Sequence, residues 1–391
     1  MVDQLPLSDD QQAQHTLITM ETDYFNPNGV GLHNGNFIGL PFTEEQSMLV
    51  FFPVPWDVTV SFGGGTSSGP KNILRCSSQL DLYDADYPGG WKNGIYFKAH
   101  NKDWYKKSKD LRLKAVEYIE FLEEGGDVLV NEKMDKIRLK INDACIDLHD
   151  WVEQETGALI DSGKLVGLVG GDHSTNLGYI RALAARHAGF GILHIDAHMD
   201  LREAYEGFVH SHASAFRNIM QIPKVTKVVQ VGIRDYCDEE IEFAAGQANR
   251  IKVYTEQEIQ DHKMKGGSYE SMVDEIVSNL PQSVYISFDI DGLDPALCPN
   301  TGTPVPGGLQ FAEATFLLRK VVESGRKIIG FDLVETAGGS KEWDGNVAAR
   351  ILYKMALLAM KSNMVVASNV LMEPKAKKAN SAKAKKPAAK K

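Results

Sequence analysis

The sequence has 391 residues, of which 43% are hydrophobic and 24% charged, and its net charge at pH 7 is -10. This composition supplies a sizeable core, and no apolar run reaches the roughly 20 residues that a membrane span needs, so the pattern excludes a transmembrane protein. The four cysteines lie far apart without CxxC spacing, which argues against a disulfide framework or a thiolate zinc site. No secretory leader is visible, and we expect a cytoplasmic protein.

The two ends of the chain differ from its middle in composition. Residues 1–46 combine turn-forming Asn, Pro and Gly with aromatic residues, and we expect an N-terminal arm that packs on the core. Residues 374–391 contain eight lysines and no acidic residue, which predicts a disordered tail. Because the rest of the chain is acidic and no aromatic residue lies between the lysines, a nucleic-acid partner is disfavoured.

Short apolar runs alternate with segments of helical periodicity over residues 47–373. A buried strand at 48–54 is followed by a Gly-rich turn, a helix that begins at Gly69, and an insertion at about 84–110. The alternation predicts a single α/β domain with a mostly parallel sheet covered by helices on both faces. The next predicted helices cover 111–124 and 134–160, and the further strands cover 165–169, 190–195, 228–233, 251–254, 284–290 and 327–334.

Acidic residues and histidines follow three of these predicted strands. The first set opens with Asp172 and His173, the second is Asp-Ala-His-Met-Asp from Asp196, and the third is Asp-Ile-Asp from Asp289. Ligands bind at the carboxyl ends of strands in open α/β sheets, and residues two apart in an extended segment share a face. We therefore expect one cluster of six candidate metal ligands: His173, Asp196, His198, Asp200, Asp289 and Asp291.

Four carboxylates and two imidazoles without a thiolate suit hard or borderline divalent ions such as Mn²⁺, with Ni²⁺, Co²⁺ or Fe²⁺ as alternatives. Six ligands exceed what one ion in an open site would take, so bridging carboxylates and two ions are predicted. A single such motif is more often a helix cap or a loop residue, but three in order favour a metal centre. Two later residues are further candidates, His212 as a proton shuttle and Glu335, after the strand at 327–334, to face a cationic substrate.

Three segments in order resemble the signatures of the ureohydrolases, the arginase and agmatinase family of binuclear metal hydrolases. They are GGDHS at 170–174, DAHMD at 196–200 and SFDIDGLDP at 287–295, and the resemblance extends over about 49–360. It implies a three-layer α/β sandwich with a roughly eight-stranded sheet. It also implies assembly into homo-trimers or homo-hexamers.

The resemblance also implies roles for the candidate residues. The six ligands would hold two divalent ions, which activate water to attack a guanidinium carbon and release urea. Asp200 would pass a proton to the departing amine, His212 matches a shuttle histidine, and Glu335 matches the carboxylate that pairs with the guanidinium. The family usually has Gly after the shuttle histidine, where this chain has Ala213.

Departures from the family pattern bear on the substrate. The loop at 201–209 (LREAYEGFV) does not resemble the polar loop by which arginases grip arginine. The long arm and the insertion resemble the subgroup of agmatinase-like proteins that act on free guanidine, for which nickel is the implied metal. We expect guanidine hydrolysis to urea and ammonia, with agmatine or guanidinobutyrate as alternative substrates and a non-catalytic metal-binding protein as the alternative from another class. The sequence leaves open whether accessory proteins load the metal.

Overall fold

Eight strands form one parallel sheet at the centre of the molecule, in the order β2-β1-β3-β8-β7-β4-β5-β6. The computed structural model describes residues 25–372, with side chains described through residue 364. The strands are β1 Leu49–Val54, β2 Ile95–Phe97, β3 Leu165–Gly170, β4 Phe190–Ile195, β5 Val225–Ile233, β6 Ile251–Thr255, β7 Ser283–Asp289 and β8 Lys327–Val334.

Helices cover both faces of the sheet, which confirms the three-layer α/β architecture. Strand β1 shows why: Leu49 and Phe51 pack into the core on one face, while Val50 and Phe52 pack into the core on the other. One face is covered by α1, α7, α8, α9 and α10, and the opposite face by α2 to α6. These helices are α1 Gly69–Ser77, α2 Lys102–Glu123, α3 Glu132–Asp161, α4 Leu177–Arg186, α5 Ala215–Ile219, α6 Asp238–Gly246, α7 Glu256–Met264, α8 Tyr269–Ser278, α9 Phe311–Glu323 and α10 Glu342–Met372.

The segment predicted as an insertion at 84–110 contains more regular structure than its composition indicates. Strand β2 lies in it at the edge of the sheet, and α2 begins at Lys102, so the predicted helix start at 111 is wrong. The side chain of Asn101 caps the helix by accepting from the backbone N–H groups of Asp103 and Trp104. The first turns are held by Trp104, whose ring packs against Trp56.

Within the described part of the predicted arm, residues 36–42 pack against the core, while most of residues 26–35 are exposed. Phe37 is fully buried with its ring 4.9 Å from that of Phe51, and the Asn36 amide donates to the carbonyls of Leu40, Phe42 and Ile95. The remainder of the arm, residues 1–24, and the predicted tail at 374–391 lie outside the described residues. Over residues 25–372, no helix is both long enough and apolar enough to cross a membrane.

Strand order places the three motifs side by side. Strands β3, β8, β7 and β4 are neighbours in the middle of the sheet, although β3 and β4 follow each other in the chain. The sheet is parallel, so the carboxyl ends of these four strands share one edge. A crevice at the point where the strand order reverses is where ligands bind in this architecture.

Candidate metal centre

All six predicted ligands meet at the shared edge of the four central strands. His173 begins a short 3-10 turn after β3, Asp196 directly follows β4, and Asp289 is the last residue of β7. Asp196, Asp289 and Asp291 are at most 3% exposed. Two groups have ligand atoms close enough to share an ion: the first is His173, His194, Asp196 and Asp200, and the second is Asp196, His198 and Asp291. The expected convergence of the three motifs is therefore present.

The first group surrounds one ring nitrogen of His173. Its Nδ1 lies 3.0 Å from Asp196 Oδ2, 3.1 Å from Asp200 Oδ2 and 3.2 Å from Asp289 Oδ2. The other nitrogen, Nε2, lies 2.9 Å from Ser287 Oγ, whose own proton is donated to Asp332. Nε2 is therefore a donor, and Nδ1 faces three carboxylates, an arrangement that requires positive charge, either as a proton on Nδ1 or as a bound metal ion.

The second group is built on the other oxygen of the same aspartate. His198 Nδ1 lies 3.4 Å from Asp196 Oδ1 and 3.2 Å from Asp291 Oδ2. Asp196 thus faces one group through Oδ2 and the other through Oδ1. A carboxylate shared in this way is what two adjacent ions require, and the donor set fits the two divalent ions predicted from the sequence.

The electrostatics of the cluster point the same way. Burial, followed by the charge of Asp196, raises the pKa of Asp200 to about 7, and burial with the charge of Asp291 raises the pKa of Asp289 well above its usual range. Burial opposes charging of His173, yet its hydrogen bonds to Asp196 and the other carboxylates raise its pKa well above 6.5. Buried carboxylates packed this closely are costly unless positive charge neutralises them, and divalent ions at this site would supply that charge.

Two residues of the site adopt backbone conformations that side-chain-bearing residues rarely take. Asp200 has φ 55° and Glu335 has φ 58°, each at a cost of about 1–3 kcal/mol. The expectation that an extended segment carries Asp196, His198 and Asp200 on one face is wrong at Asp200, whose left-handed conformation turns its side chain towards His173. The same expectation, that Asp289 and Asp291 share a face of an extended segment, is wrong at Asp291, which lies in a 3-10 turn, Ile290–Gly292.

A cavity of about 290 Å³ opens beside the two groups. His212 is buried in its wall, with Nε2 3.4 Å from Ser61 Oγ and Nδ1 3.2 Å from Ser211 Oγ. Burial, aided by the charge of His198, lowers the pKa of His212 to about 3, so its imidazole is neutral at pH 7. The cavity is lined by Ser61, Phe62, His198, Asp200, Arg202, Tyr205, His212, Ala213, Asp235, Tyr236, Glu240, Thr303, Pro304 and Val305.

Glu335 is buried and is not among the residues that line this cavity. Its backbone N–H donates to Gly171 O at 2.7 Å, and its Oε1 accepts from the backbone N–H of His173 at 3.1 Å. Its Oε2 is buried and has no hydrogen-bond partner among the described residues. Burial, with the charge of Asp172, raises the pKa of Glu335 well above its usual range. An unpaired carboxylate oxygen next to the ligand His173 is placed to receive a cationic group.

Reasoning from motifs missed His194, the fifth residue of β4. Its ring is fully buried, and its Nε2 lies 2.7 Å from Asp196 Oδ2. The sequence pattern could have indicated it, since residues 194, 196 and 198 are two apart and would share a face of an extended segment. A histidine inside an apolar run is, however, more often a core residue. The aromatic residues Trp343 and Phe208 do not line the cavity: Trp343 is 53% exposed and Phe208 packs on Tyr118.

Comparison with known proteins places this arrangement in a family. The family model described as the arginase family matches residues 47–358. A guanidinobutyrase of Pseudomonas aeruginosa is 34% identical over 333 residues, covering 81% of this chain and 89% of the relative. An N(1)-aminopropylagmatine ureohydrolase of Synechocystis is 28% identical over 296 residues, covering 75% and 82%. The solved structure of proclavaminate amidinohydrolase from Streptomyces clavuligerus superposes with a TM-score of 0.64 at 24% identity, covering 85% of this chain and 99% of that one.

Proposed function

Since this chain belongs to the arginase family, we propose that it hydrolyses a C–N bond of a small guanidinium compound and releases urea, with free guanidine as the substrate. The observation that carries the hydrolytic part is the sharing of Asp196 between the two ligand groups, because it fits a pair of adjacent divalent ions. Such ions lower the pKa of water so that a nucleophile forms at neutral pH. Mn²⁺ and Ni²⁺ are the candidates.

The protein groups have separate tasks in this reaction. The free Oε2 of Glu335 would pair with the guanidinium and orient its carbon, since a carboxylate and a planar guanidinium form directional, charge-assisted hydrogen bonds. Asp200, which reaches both His173 and the cavity, would take a proton from the attacking water and deliver it to the departing nitrogen. Neutral His212 in the cavity wall would exchange protons with solvent, with Ser61 and Ser211 holding its ring.

Free guanidine is favoured because it consists of the guanidinium group alone, so it would bind through the buried carboxylates and would need no further recognition site. The cavity wall offers a longer substrate no single complementary charge: Arg202 lies 3.9 Å from Glu240 and over the ring of Tyr205, while the carboxylate of Asp235 is exposed. The primary amine of agmatine would meet the Arg202 cation as well as the Asp235 carboxylate in this wall. We therefore place guanidine first.

A longer guanidino compound is the second candidate, and the relatives favour it. Those compared above carry the names of enzymes for guanidinobutyrate and aminopropylagmatine, and the same Arg202 that would repel an amine would attract a carboxylate. The Arg202 cation thus supports guanidinobutyrate as the alternative substrate, whereas the Asp235 carboxylate supports agmatine.

A substrate panel separates these possibilities. The protein loaded with Mn²⁺ or with Ni²⁺ is incubated with guanidine, agmatine, guanidinobutyrate and arginine, and urea and ammonia are measured. We expect the highest kcat/KM for guanidine, with urea and ammonia in equal amounts. A more than tenfold higher kcat/KM for agmatine or guanidinobutyrate would refute the substrate and retain the reaction. No urea from any compound, in protein shown to contain metal, would refute the enzyme and favour a metal-binding protein.

A further inference from the structure

We propose that His194 is a positioning residue that holds the shared carboxylate of Asp196 in the orientation that serves both metal ions. This inference rests on the proposed metal centre, and it assigns a role to a residue that the reaction described above does not use. It follows from the hydrogen bonds of His194, from the packing of its ring, and from the place of Asp196 between the two ligand groups.

The hydrogen bonds of His194 determine which ring nitrogen carries the proton. Gln230 Nε2 lies 2.9 Å from His194 Nδ1 and 2.7 Å from the carbonyl oxygen of Met199. An amide nitrogen is a donor only, and the Met199 carbonyl accepts one of its two protons, so His194 Nδ1 accepts the other. His194 Nε2 therefore carries the proton and donates to Asp196 Oδ2 at 2.7 Å. A nitrogen that donates in this way is not a metal ligand, although it lies within the first ligand group.

The ring of His194 has little freedom to leave this orientation. It stacks on Phe216 with centroids 3.7 Å apart and an interplanar angle of 18°, and it is fully buried. Phe216 is itself tied to the site, since its backbone N–H donates to the carbonyl of Asp200 at 2.9 Å.

The orientation of Asp196 affects both predicted ions, because Asp196 is the one residue present in both ligand groups. Its Oδ2 faces His173 and its Oδ1 faces His198, so a rotation of this carboxylate disturbs both groups together. The N–H of His194 fixes that rotation without adding charge. Residues that orient a metal ligand in this manner are worth about 10- to 100-fold in metal affinity.

Two substitutions of His194 distinguish the loss of its hydrogen-bond donor from the loss of its side-chain volume. His194→Leu removes the donor and keeps an apolar side chain, whereas His194→Gln places an amide N–H where Nε2 lies. We expect His194→Leu to weaken the binding of both Mn²⁺ ions about 10- to 100-fold, measured by competition with a chelating dye, and His194→Gln to restore most of the affinity. His187→Leu is the control and should bind as wild type, because His187 follows α4 and its ring packs against Phe190 at the start of β4, away from the ligand groups.

A third variant keeps the test decisive if His194→Leu fails to fold. Gln230→Leu leaves His194 in place but removes the partner of Nδ1, and we expect a several-fold loss of Mn²⁺ affinity with an unchanged melting temperature of the metal-free protein. Wild-type affinity in both His194→Leu and Gln230→Leu would overturn the proposal, as would a loss that His194→Gln does not recover. Metal binding is measured without substrate, so an inactive wild-type protein that shows this affinity pattern would refute the proposed function alone.

Discussion

Replacing Glu335 by Gln tests the recognition of the guanidinium group. The substitution keeps the size of the side chain, and the amide oxygen can still accept from the backbone N–H of His173. The amide NH₂ then occupies the position of the free Oε2 and faces the N–H groups of the substrate, donor against donor. A hydrogen bond to a charged group is worth about 1.5–3 kcal/mol, so kcat/KM should fall about 10- to 150-fold.

Steady-state kinetics and elemental analysis together check this prediction. We expect Glu335→Gln to retain the metal content of the wild type while kcat/KM for the best substrate of the panel falls. Glu206→Gln is a matched control, because Glu206 also has a positive φ (53°) and a buried, unpartnered Oε2, whereas it is Glu335 that accepts from the backbone N–H of the ligand His173. A kcat/KM within twofold of wild type for Glu335→Gln, with metal present, would refute the role of this carboxylate.

Three further outcomes are expected. Asp291→Asn should reduce bound metal from two ions per chain to about one, because the second group loses the carboxylate that faces His198; unchanged metal by elemental analysis would contradict the ligand assignment. His212→Asn should keep both ions and KM while kcat falls about 10²- to 10⁴-fold, the usual effect of losing a proton-transfer group, and an unchanged kcat would remove the shuttle role. Deleting residues 374–391 should leave kcat/KM unchanged; if the tail binds nucleic acid, the deletion should also abolish DNA retention, and equal retention by both forms would exclude that role.

Apolar runs and motif positions were sufficient to predict the main features of the fold. A strand buried on both faces needs a continuous apolar run, and LVFFPV of β1 has one, so the long strands are visible in the sequence. The ligand cluster was also predictable, because parallel strands bring their carboxyl ends to one edge whatever their order. The order itself, with β8 and β7 between β3 and β4, depends on contacts far apart in the chain.

The parts that escaped prediction depend on tertiary contacts. The early start of α2 depends on Trp104 packing against Trp56. The left-handed conformation of Asp200 is held by two backbone N–H groups from α5 that donate to its carbonyl, which no local pattern indicates. His194 is a polar residue in β4, where the residues on either side of it belong to the core. Its contacts with Asp196 and Gln230 are what distinguish it from an ordinary core histidine.

Urea formation as a function of bound metal tests the binuclear centre most directly. Metal-free protein is titrated with Mn²⁺ or Ni²⁺, and bound ion and urea release are measured at each step. The shared carboxylate of Asp196 predicts two ions per chain, activity that rises chiefly as the second ion binds, and loss of both ions in Asp196→Asn. Full urea release at one ion per chain, or in metal-free protein, would contradict the binuclear mechanism.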